Sequence, residues 1–130
     1  MIVVDTSALV AILQEEPDAA VFAAALAEAD PPLMSAVSLA ETGIVMLNRH
    51  GPKSARLVDS LIREAEFQVE NVTAQHARLA QEAYVLYGKG RHAAGLNFGD
   101  CFSYALAKAM DLPLLFKGDD FKQTDIEPGV

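Results

Sequence analysis

Short apolar runs alternate along this chain with longer segments in which apolar residues recur every three or four positions. Four of these runs are bounded by proline, glycine or polar residues, which is typical of short buried strands. They cover residues 1–5, 32–37, 67–72 and 113–118. The longer segments predict helices over residues 6–14, 17–29, 38–50, 51–65, 73–90 and 97–109, and residues 119–126 predict a turn followed by a short edge strand.

The order of strands and helices predicts βαβ units, and therefore an α/β fold whose sheet is mostly parallel and covered on both faces. No repeat, low-complexity tract or linker divides the chain, so we expect a single domain over residues 1–130. In sheets of this kind ligands bind beyond the carboxyl ends of the strands. Functional side chains are therefore expected at that edge.

Composition indicates a soluble globular protein, with 52% hydrophobic and 22% charged residues. No apolar run approaches the roughly 20 residues that a membrane-spanning helix needs. The first residues have no basic leader and reach an acid at position 5, unlike a signal peptide. The one cysteine, Cys101, excludes an internal disulfide and fits a reducing cytoplasm.

The net charge of −8 argues against a simple basic surface for nucleic acid. Its distribution is uneven, because residues 1–48 carry seven acids and no Lys or Arg. Between positions 83 and 99 the balance reverses, with Lys89, Arg91 and His92 and no acid. The pattern therefore allows a local basic loop beside an acidic centre.

Several acids fall at or near the expected functional edge. Asp5 ends the first strand, Glu41 lies in the helix after the second, and Asp100 opens the helix that leads to the fourth. Asp119 and Asp120 directly follow the fourth strand. If these side chains meet, their charges repel, and no nearby run of Arg or Lys neutralises them. A hard divalent cation such as Mg²⁺, which takes carboxylate and phosphate oxygens, would stabilise such a group and attract a polyanionic substrate.

Each acid also has a purely structural interpretation. Ser38 and Glu41 match a capping box. Asn97 is a candidate N-cap that places Asp100 at the third helical position, where negative charge favours the helix dipole by about 0.3–1 kcal/mol. Asp119 or Asp120 could cap a short final helix. Asp5 is hardest to explain in this way, because a carboxylate that ends a buried apolar strand needs a partner.

Other motifs do not indicate chemistry. The glycines of "GKGRHAAG" lack the order of a P-loop, and the histidines show no zinc-ligand spacing with Cys101. We expect His76 and Cys101 to be buried packing residues. Helical spacing also assigns five residues of the last long helix to the core, namely Phe98, Phe102, Ala105, Leu106 and Ala109.

At these acids the sequence resembles the PIN-domain ribonucleases, specifically the VapC-type toxins of bacterial toxin–antitoxin pairs. Four segments carry the resemblance in the family's order and cover nearly the whole chain: "IVVDTSALVAIL", "SAVSLAETGIV", "YGKGRHAAGLNFGDCFSYALAKA" and "PLLFKGDDFKQTDI". The resemblance implies a three-layer α/β/α fold and Mg²⁺- or Mn²⁺-dependent hydrolysis of RNA, in which a metal-activated water attacks and the 3′ oxygen departs in line.

It also implies a homodimer, a cognate VapB-type antitoxin in a hetero-oligomer, and contact with DNA only through that antitoxin. By position, Asp5, Glu41 and Asp100 match the family's three central acids. The fourth is either Asp119 or Asp120, since Gly118 stands where many relatives place an acid, and Asp119 is preferred. Candidate substrate contacts are Thr6, Ser7, Lys117, Arg91 and Lys89, the last three of which could equally be exposed loop charges.

Two alternatives remain at this point. A phosphoacceptor receiver domain has a similar length, an α/β class and acids at the same edge, and Lys117 matches it. That domain, however, requires an acidic pair after the first strand, where this chain has Asp5 alone. The second alternative is a PIN domain that serves only as a non-catalytic scaffold.

Overall fold

Four parallel strands form the central sheet of the computed structural model, which describes residues 1–130. They are β1 (Ile2–Val4), β2 (Pro32–Ser35), β3 (Gln68–Glu70) and β4 (Leu114–Leu115), in the order β3-β2-β1-β4. Val3 of the central strand lies opposite Leu33 on one side and Leu114 on the other. The predicted parallel sheet is therefore confirmed.

Six α-helices connect and cover these strands, at the places where the sequence predicts them. They are α1 (Thr6–Leu13), α2 (Ala19–Glu28), α3 (Ala36–His50), α4 (Ser54–Glu64), α5 (Ala74–Tyr87) and α6 (Phe98–Met110), followed by a short 3-10 helix (Phe121–Gln123). None of them is both long and apolar enough to cross a membrane.

The beginning of α3 differs from the prediction. Ser35, rather than a later residue, is the N-cap, and its hydroxyl accepts a hydrogen bond from the Val37 backbone N–H at 3.1 Å. Ser38 is therefore already inside the helix and fully buried. The predicted Ser38–Glu41 capping box is wrong, because Ser35 already satisfies the end of the helix.

Alternate residues of the strands face two separate cores. Val3, Leu33 and Leu114 pack with α5 and α6 on one side of the sheet. On the other side, Ile2 and Val4 belong to a second cluster, which also takes side chains from α1, α2 and α4. Since successive strand residues point to opposite faces, both faces of the sheet are buried. The three-layer α/β/α architecture follows.

The C-terminal segment lies beside β4 but forms only a single parallel bridge, between Leu114 and Pro128. The Leu114 N–H donates to the Glu127 carbonyl at 2.9 Å, and the Gly129 N–H donates to the Leu114 carbonyl at 2.8 Å. The edge strand predicted within residues 119–126 is therefore wrong, since these residues contain a short 3-10 helix and the paired position lies after them, at Pro128.

Of the five residues of α6 predicted to lie in the core, Phe98 does not. Its side chain is 72% exposed, because it is the first residue of the helix and lies outside the main core, stacked on Phe102 with ring centroids 5.0 Å apart. Ala105 and Leu106 are buried as predicted, and Phe102 packs against the core from its edge. His76 and Cys101 are also buried, as expected.

Candidate active site

Asp5 lies at the carboxyl end of β1 and caps α1. One of its carboxylate oxygens accepts hydrogen bonds from the Ser7 backbone N–H at 3.0 Å and from the Ser7 hydroxyl at 2.7 Å. The other oxygen accepts one from the Ser103 hydroxyl at 2.5 Å. Only 2% of the residue is exposed. The partner that a buried carboxylate requires is therefore a pair of hydroxyls and a backbone amide, which hold Asp5 in one orientation.

Glu41 reaches the same region from the second turn of α3. Burial raises the pKa of this carboxyl, and the negative charge of Asp5 raises it further, whereas the nearby Thr6 hydroxyl opposes the shift. Since Glu41 plays no part in capping α3, its position beside other acids has no explanation in the stability of that helix.

Asp100 occupies the first turn of α6 and forms a capping box with Asn97, the predicted N-cap. The Asn97 side chain accepts a hydrogen bond from the Asp100 N–H at 2.9 Å, and an Asp100 oxygen accepts one from the Asn97 N–H at 3.0 Å. Burial raises the pKa of Asp100 to about 7, helped by the charges of Asp5, Glu41 and Asp120 and opposed by the Asn97 amide. The charged groups that act most strongly on this pKa are all acids.

These three acids line one cleft of about 260 Å³ at the carboxyl edge of the sheet. It is bounded by residues from β1, α1, α3 and the start of α6, together with two cations. The lining residues are Asp5, Thr6, Ser7, Val10, Glu16, Glu41, Val45, Arg49, Asn97, Asp100 and Lys117. The sequence prediction that Asp5, Glu41 and Asp100 gather at one edge agrees with this placement.

Lys117 lies in the cleft but is already paired. Its ammonium group donates to Glu16 at 2.6 Å and to Asp18 at 3.1 Å, and these bonds raise its pKa. Its backbone N–H also donates to the Ser7 hydroxyl at 3.0 Å. Lys117 thus supports the scaffold around Asp5, and its charge is matched by Glu16 and Asp18 rather than by the central acids.

Asp119 is not brought into the cleft. Its side chain is 84% exposed and pairs with Lys122 at 3.3 Å, one turn further along the chain. Asp120 is the neighbour whose charge acts on Asp100. Asp120 is also exposed and outside the cleft lining, so only its charge reaches Asp100, and the choice between Asp119 and Asp120 as a fourth acid stays a prediction.

The basic loop also lies apart from the lining of the cleft. Lys89 and Arg91 are exposed, and the Arg91 guanidinium donates to the Val85 carbonyl at 3.4 Å. Arg49, in the last turn of α3, is the cation that lines the cleft without an acidic partner, since its hydrogen bond runs to the Gln14 amide oxygen at 3.4 Å. Sequence reasoning overlooked it because an Arg at a helix end suits the dipole.

Sequence reasoning also missed Ser103. Its hydroxyl lies 3.1 Å from the Ser38 hydroxyl as well as binding Asp5, so it links α3, α6 and β1 through fully buried groups. The only available signal was its spacing of three residues from Asp100, which places both side chains on one helix face.

Cys101, beside Asp100, lacks the lowered thiol pKa that a nucleophilic cysteine needs. Burial and the Asp100 charge raise the pKa of its thiol to about 11, so it stays protonated near neutral pH.

The donor set fits a hard divalent cation. No three His, Cys, Asp or Glu side chains converge closely enough to chelate one ion by themselves. Mg²⁺ and similar ions, however, need only one or two carboxylates and complete their shell with water and phosphate oxygens. Asp100 uses one oxygen in the capping box, which leaves its second oxygen and the Glu41 carboxylate available.

Comparison with known proteins settles the family. The family model described as PIN domain matches residues 2–127. The chain belongs to the PIN-domain family. Among its relatives are the ribonuclease VapC28 of Mycobacterium tuberculosis, 54% identical over 126 residues, which are 96% of this chain and 95% of that protein. The ribonuclease VapC of Mycolicibacterium smegmatis is 51% identical over 124 residues, covering 95% of this chain and 96% of the relative.

Solved structures share the PIN fold. Mycobacterium tuberculosis VapC20, described as a toxin that cleaves the sarcin–ricin loop, superposes with a TM-score of 0.78 at 22% identity, over 97% of this chain and 96% of that one. A toxin–antitoxin complex from Klebsiella pneumoniae gives a TM-score of 0.70 at 17% identity, over 96% and 93% of the two chains. At these identities the likeness concerns the fold.

The predicted family and enzyme class, a PIN-domain ribonuclease of the VapC type, are confirmed. The receiver-domain alternative is wrong. A flavodoxin-like receiver places its strands in the order 2-1-3-4-5, so that its first strand pairs with the second and third. In this PIN domain, β1 pairs with β2 and β4.

Proposed function

We propose that this chain is a single-domain endoribonuclease, dependent on Mg²⁺ or Mn²⁺, and that it acts as the toxin of a toxin–antitoxin pair. The observation that carries the proposal is the meeting of Asp5, Glu41 and Asp100 in one cleft, where the charges that act most strongly on the Asp100 pKa are those of other acids. The relatives named as VapC ribonucleases support RNA as the substrate.

Glu41 and Asp100 are the residues best placed to hold the cation, with Asp120 as a more distant acid. A bound divalent ion lowers the pKa of a coordinated water and neutralises charge that develops on the phosphate. Asp5 keeps a fixed orientation through Ser7 and Ser103. The pKa of Asp100, about 7 in the metal-free protein, means that a cation binding to this carboxyl near neutral pH displaces a proton.

The hydroxyls of Thr6 and Ser7 are engaged within the protein. Thr6 donates to the Ser38 carbonyl at 3.2 Å, and Ser7 donates to Asp5. We therefore assign them to positioning α3 and Asp5 rather than to direct contact with phosphate.

For the substrate backbone we assign Arg49 as the phosphate contact within the cleft, and Lys89 and Arg91 as contacts further along the RNA. Arg49 has the required charge and place, whereas Lys117 is neutralised by two acids. An Arg49→Ala variant should lose more cleavage activity than Lys117→Ala at equal salt concentration. Equal or smaller loss in Arg49→Ala would contradict this assignment.

Two exposed apolar surfaces are candidate binding sites for protein partners. The α5–α6 surface comprises Val85 and Phe98 with the groove between these helices, of about 900 Å³. The α3–α4 surface comprises Ile44, Leu47 and Leu57. Contiguous apolar exposure of this kind marks interaction sites. We propose that the two surfaces serve a homodimer and a VapB-type antitoxin, which would supply any contact with DNA, and that the complex is cytoplasmic.

The test of the proposed function is cleavage of total RNA by the purified chain with Mg²⁺, with Mn²⁺ and with EDTA, followed by mapping of the cut sites. We expect discrete cuts with either metal and none with EDTA. Absence of cleavage by folded protein with both metals would favour the non-catalytic scaffold instead.

A further inference from the structure

Gly99 is a glycine that its backbone does not require. It is the second residue of α6, is buried, and is absent from the glycines with positive φ. Any residue can adopt such a helical conformation, and glycine is less favourable in a helix than alanine. The reason for a glycine at this position must therefore lie in what approaches it.

The group that approaches is the carboxylate of Glu41. A Cβ atom built on residue 99 would lie 2.6 Å from both Cδ and Oε1 of Glu41, and closer still to Oε2. Separations below 3.0 Å are essentially never seen for real Cβ atoms. The three nearest atoms beyond the helix's own backbone and the two chain neighbours all belong to Glu41, so this carboxylate is the principal conflict.

We propose that Gly99 is a positioning residue, whose missing side chain leaves the space in which the Glu41 carboxylate rests against the first turn of α6. The consequence for catalysis rests on the proposed function, whereas the steric relation between the two residues does not. Asp100 is the next residue along α6, so the same close approach sets the separation of the two acids. A methyl group at position 99 would push the flexible Glu41 side chain out of the cleft.

Gly43 provides a matched control. It lies in α3, two residues after Glu41, and a Cβ built there meets nothing within 4 Å. Replacing such a glycine by alanine removes freedom from the unfolded chain and should raise the Tm by about 1–4 °C. Gly43→Ala should leave Mn²⁺ affinity unchanged.

The experiment compares Gly99→Ala in the natural protein and in a Glu41→Ala background, with the Tm of the metal-free protein and the affinity for Mn²⁺ as readouts. In the natural background we expect no gain in Tm and a loss of Mn²⁺ affinity of about 10-fold or more. In the Glu41→Ala background, Gly99→Ala should raise the Tm as Gly43→Ala does and change Mn²⁺ affinity no further.

A change in Tm that is the same in both backgrounds would overturn the proposal, because the methyl group would then not be in conflict with Glu41. Where Glu41→Ala lowers Mn²⁺ affinity, a Gly99→Ala variant that keeps natural Mn²⁺ affinity would overturn it as well. Failure of the proposed function is distinguishable, since Mn²⁺ affinity would then be insensitive to Glu41→Ala while the two Tm values still differed as described.

Discussion

Asp100 both caps α6 and faces two other acids, and the two roles do not compete. Its capping bond with Asn97 occupies one oxygen, and the cleft contains Asp5 and Glu41. A helix N-terminus favours a negative charge by about 0.3–1 kcal/mol at the surface and up to about 2 kcal/mol where the group is partly buried. That contribution is too small to overcome burial and three neighbouring acids, since the pKa still rises to about 7. Capping therefore explains how Asp100 is held, and the cation that we propose would explain why it lies among other acids.

The raised pKa of Asp100 has a consequence for stability. The folded state binds this proton up to a pH of about 7, whereas the unfolded carboxyl releases it near its ordinary value of 3.8. Between these values the folded state binds more protons, so the metal-free protein loses stability as the pH rises. An Asp100→Asn variant lacks this pH-dependent loss of stability. Its Tm, relative to the Tm of the natural protein, should therefore rise between about pH 5 and pH 8. A constant difference in Tm across that range would contradict the shift.

With Mn²⁺ bound, stability should rise with pH instead of falling, because the ion requires the deprotonated carboxyl of Asp100. Mn²⁺ affinity of the natural protein is therefore expected to increase over the same pH range. Titrations at fixed ionic strength would measure it, and affinity that falls with pH would contradict the role of Asp100.

Loss of the Ser103 hydroxyl should lower both stability and RNA cleavage, because this hydroxyl donates a hydrogen bond to Asp5. Ser103→Ala leaves the buried Asp5 oxygen without its donor, at a cost of about 1–3 kcal/mol in the free energy of unfolding, and should lower RNA cleavage by about 10–100-fold. Denaturant unfolding and initial cleavage rates measure the two effects. Ser60→Ala, on α4, should change stability by less than about 0.5 kcal/mol and leave cleavage intact.

At the scale of elements, the site is assembled from the ends of three helices that begin at the carboxyl edge of the sheet. The site residues that could be predicted from the sequence are those with a signal in the neighbouring residues. Asp5 follows a β-branched strand, and Asn97 with Asp100 has the spacing of a capping box, so both positions could be placed. Ser35 and Ser38 are both acceptable N-caps, and only the length of β2 decides between them.

Long-range contacts carried no local signal. The pairing of Lys117 with Glu16 and Asp18 spans about a hundred positions of sequence, and so does the bond from Ser103 to Asp5. Phe98 fits helical spacing but lies at the first position of α6. At a helix end, the periodicity of apolar residues does not show whether the sheet extends far enough to cover the side chain. The exposure of Asp119 likewise depends on how the turn after β4 folds.

Two helix caps offer a comparison at this scale. Asn97 caps α6 in the site, and Thr73 caps α5 away from it by accepting a bond from the His76 N–H at 3.1 Å. Asn97→Ala and Thr73→Ala should each cost about 0.5–2 kcal/mol of stability. Only Asn97→Ala should also reduce cleavage, because it releases Asp100. Equal activity in the two variants would show that the cap does not position the acid.

At the scale of the whole molecule, the sheet is buried on both faces, so the remaining exposed apolar surfaces are available to partners. Val85→Lys changes the α5–α6 surface and Leu57→Lys the α3–α4 surface, and both side chains are exposed in the single chain. We expect one variant to lose self-association by light scattering and the other to lose capture of a VapB-type antitoxin. Natural behaviour of both variants in both assays would contradict the assignment of these surfaces.

The most direct test of the central claim is the rate of Mn²⁺-dependent RNA cleavage by Asp100→Asn, measured beside its Tm and beside an Asp59→Asn control on the exposed face of α4. Asn can still cap α6 but cannot supply the charge. We expect a loss of activity of about 100-fold or more with no fall in Tm, and natural behaviour in the control. Full activity of Asp100→Asn together with a lower Tm would show that the charge of Asp100 serves only the dipole of α6.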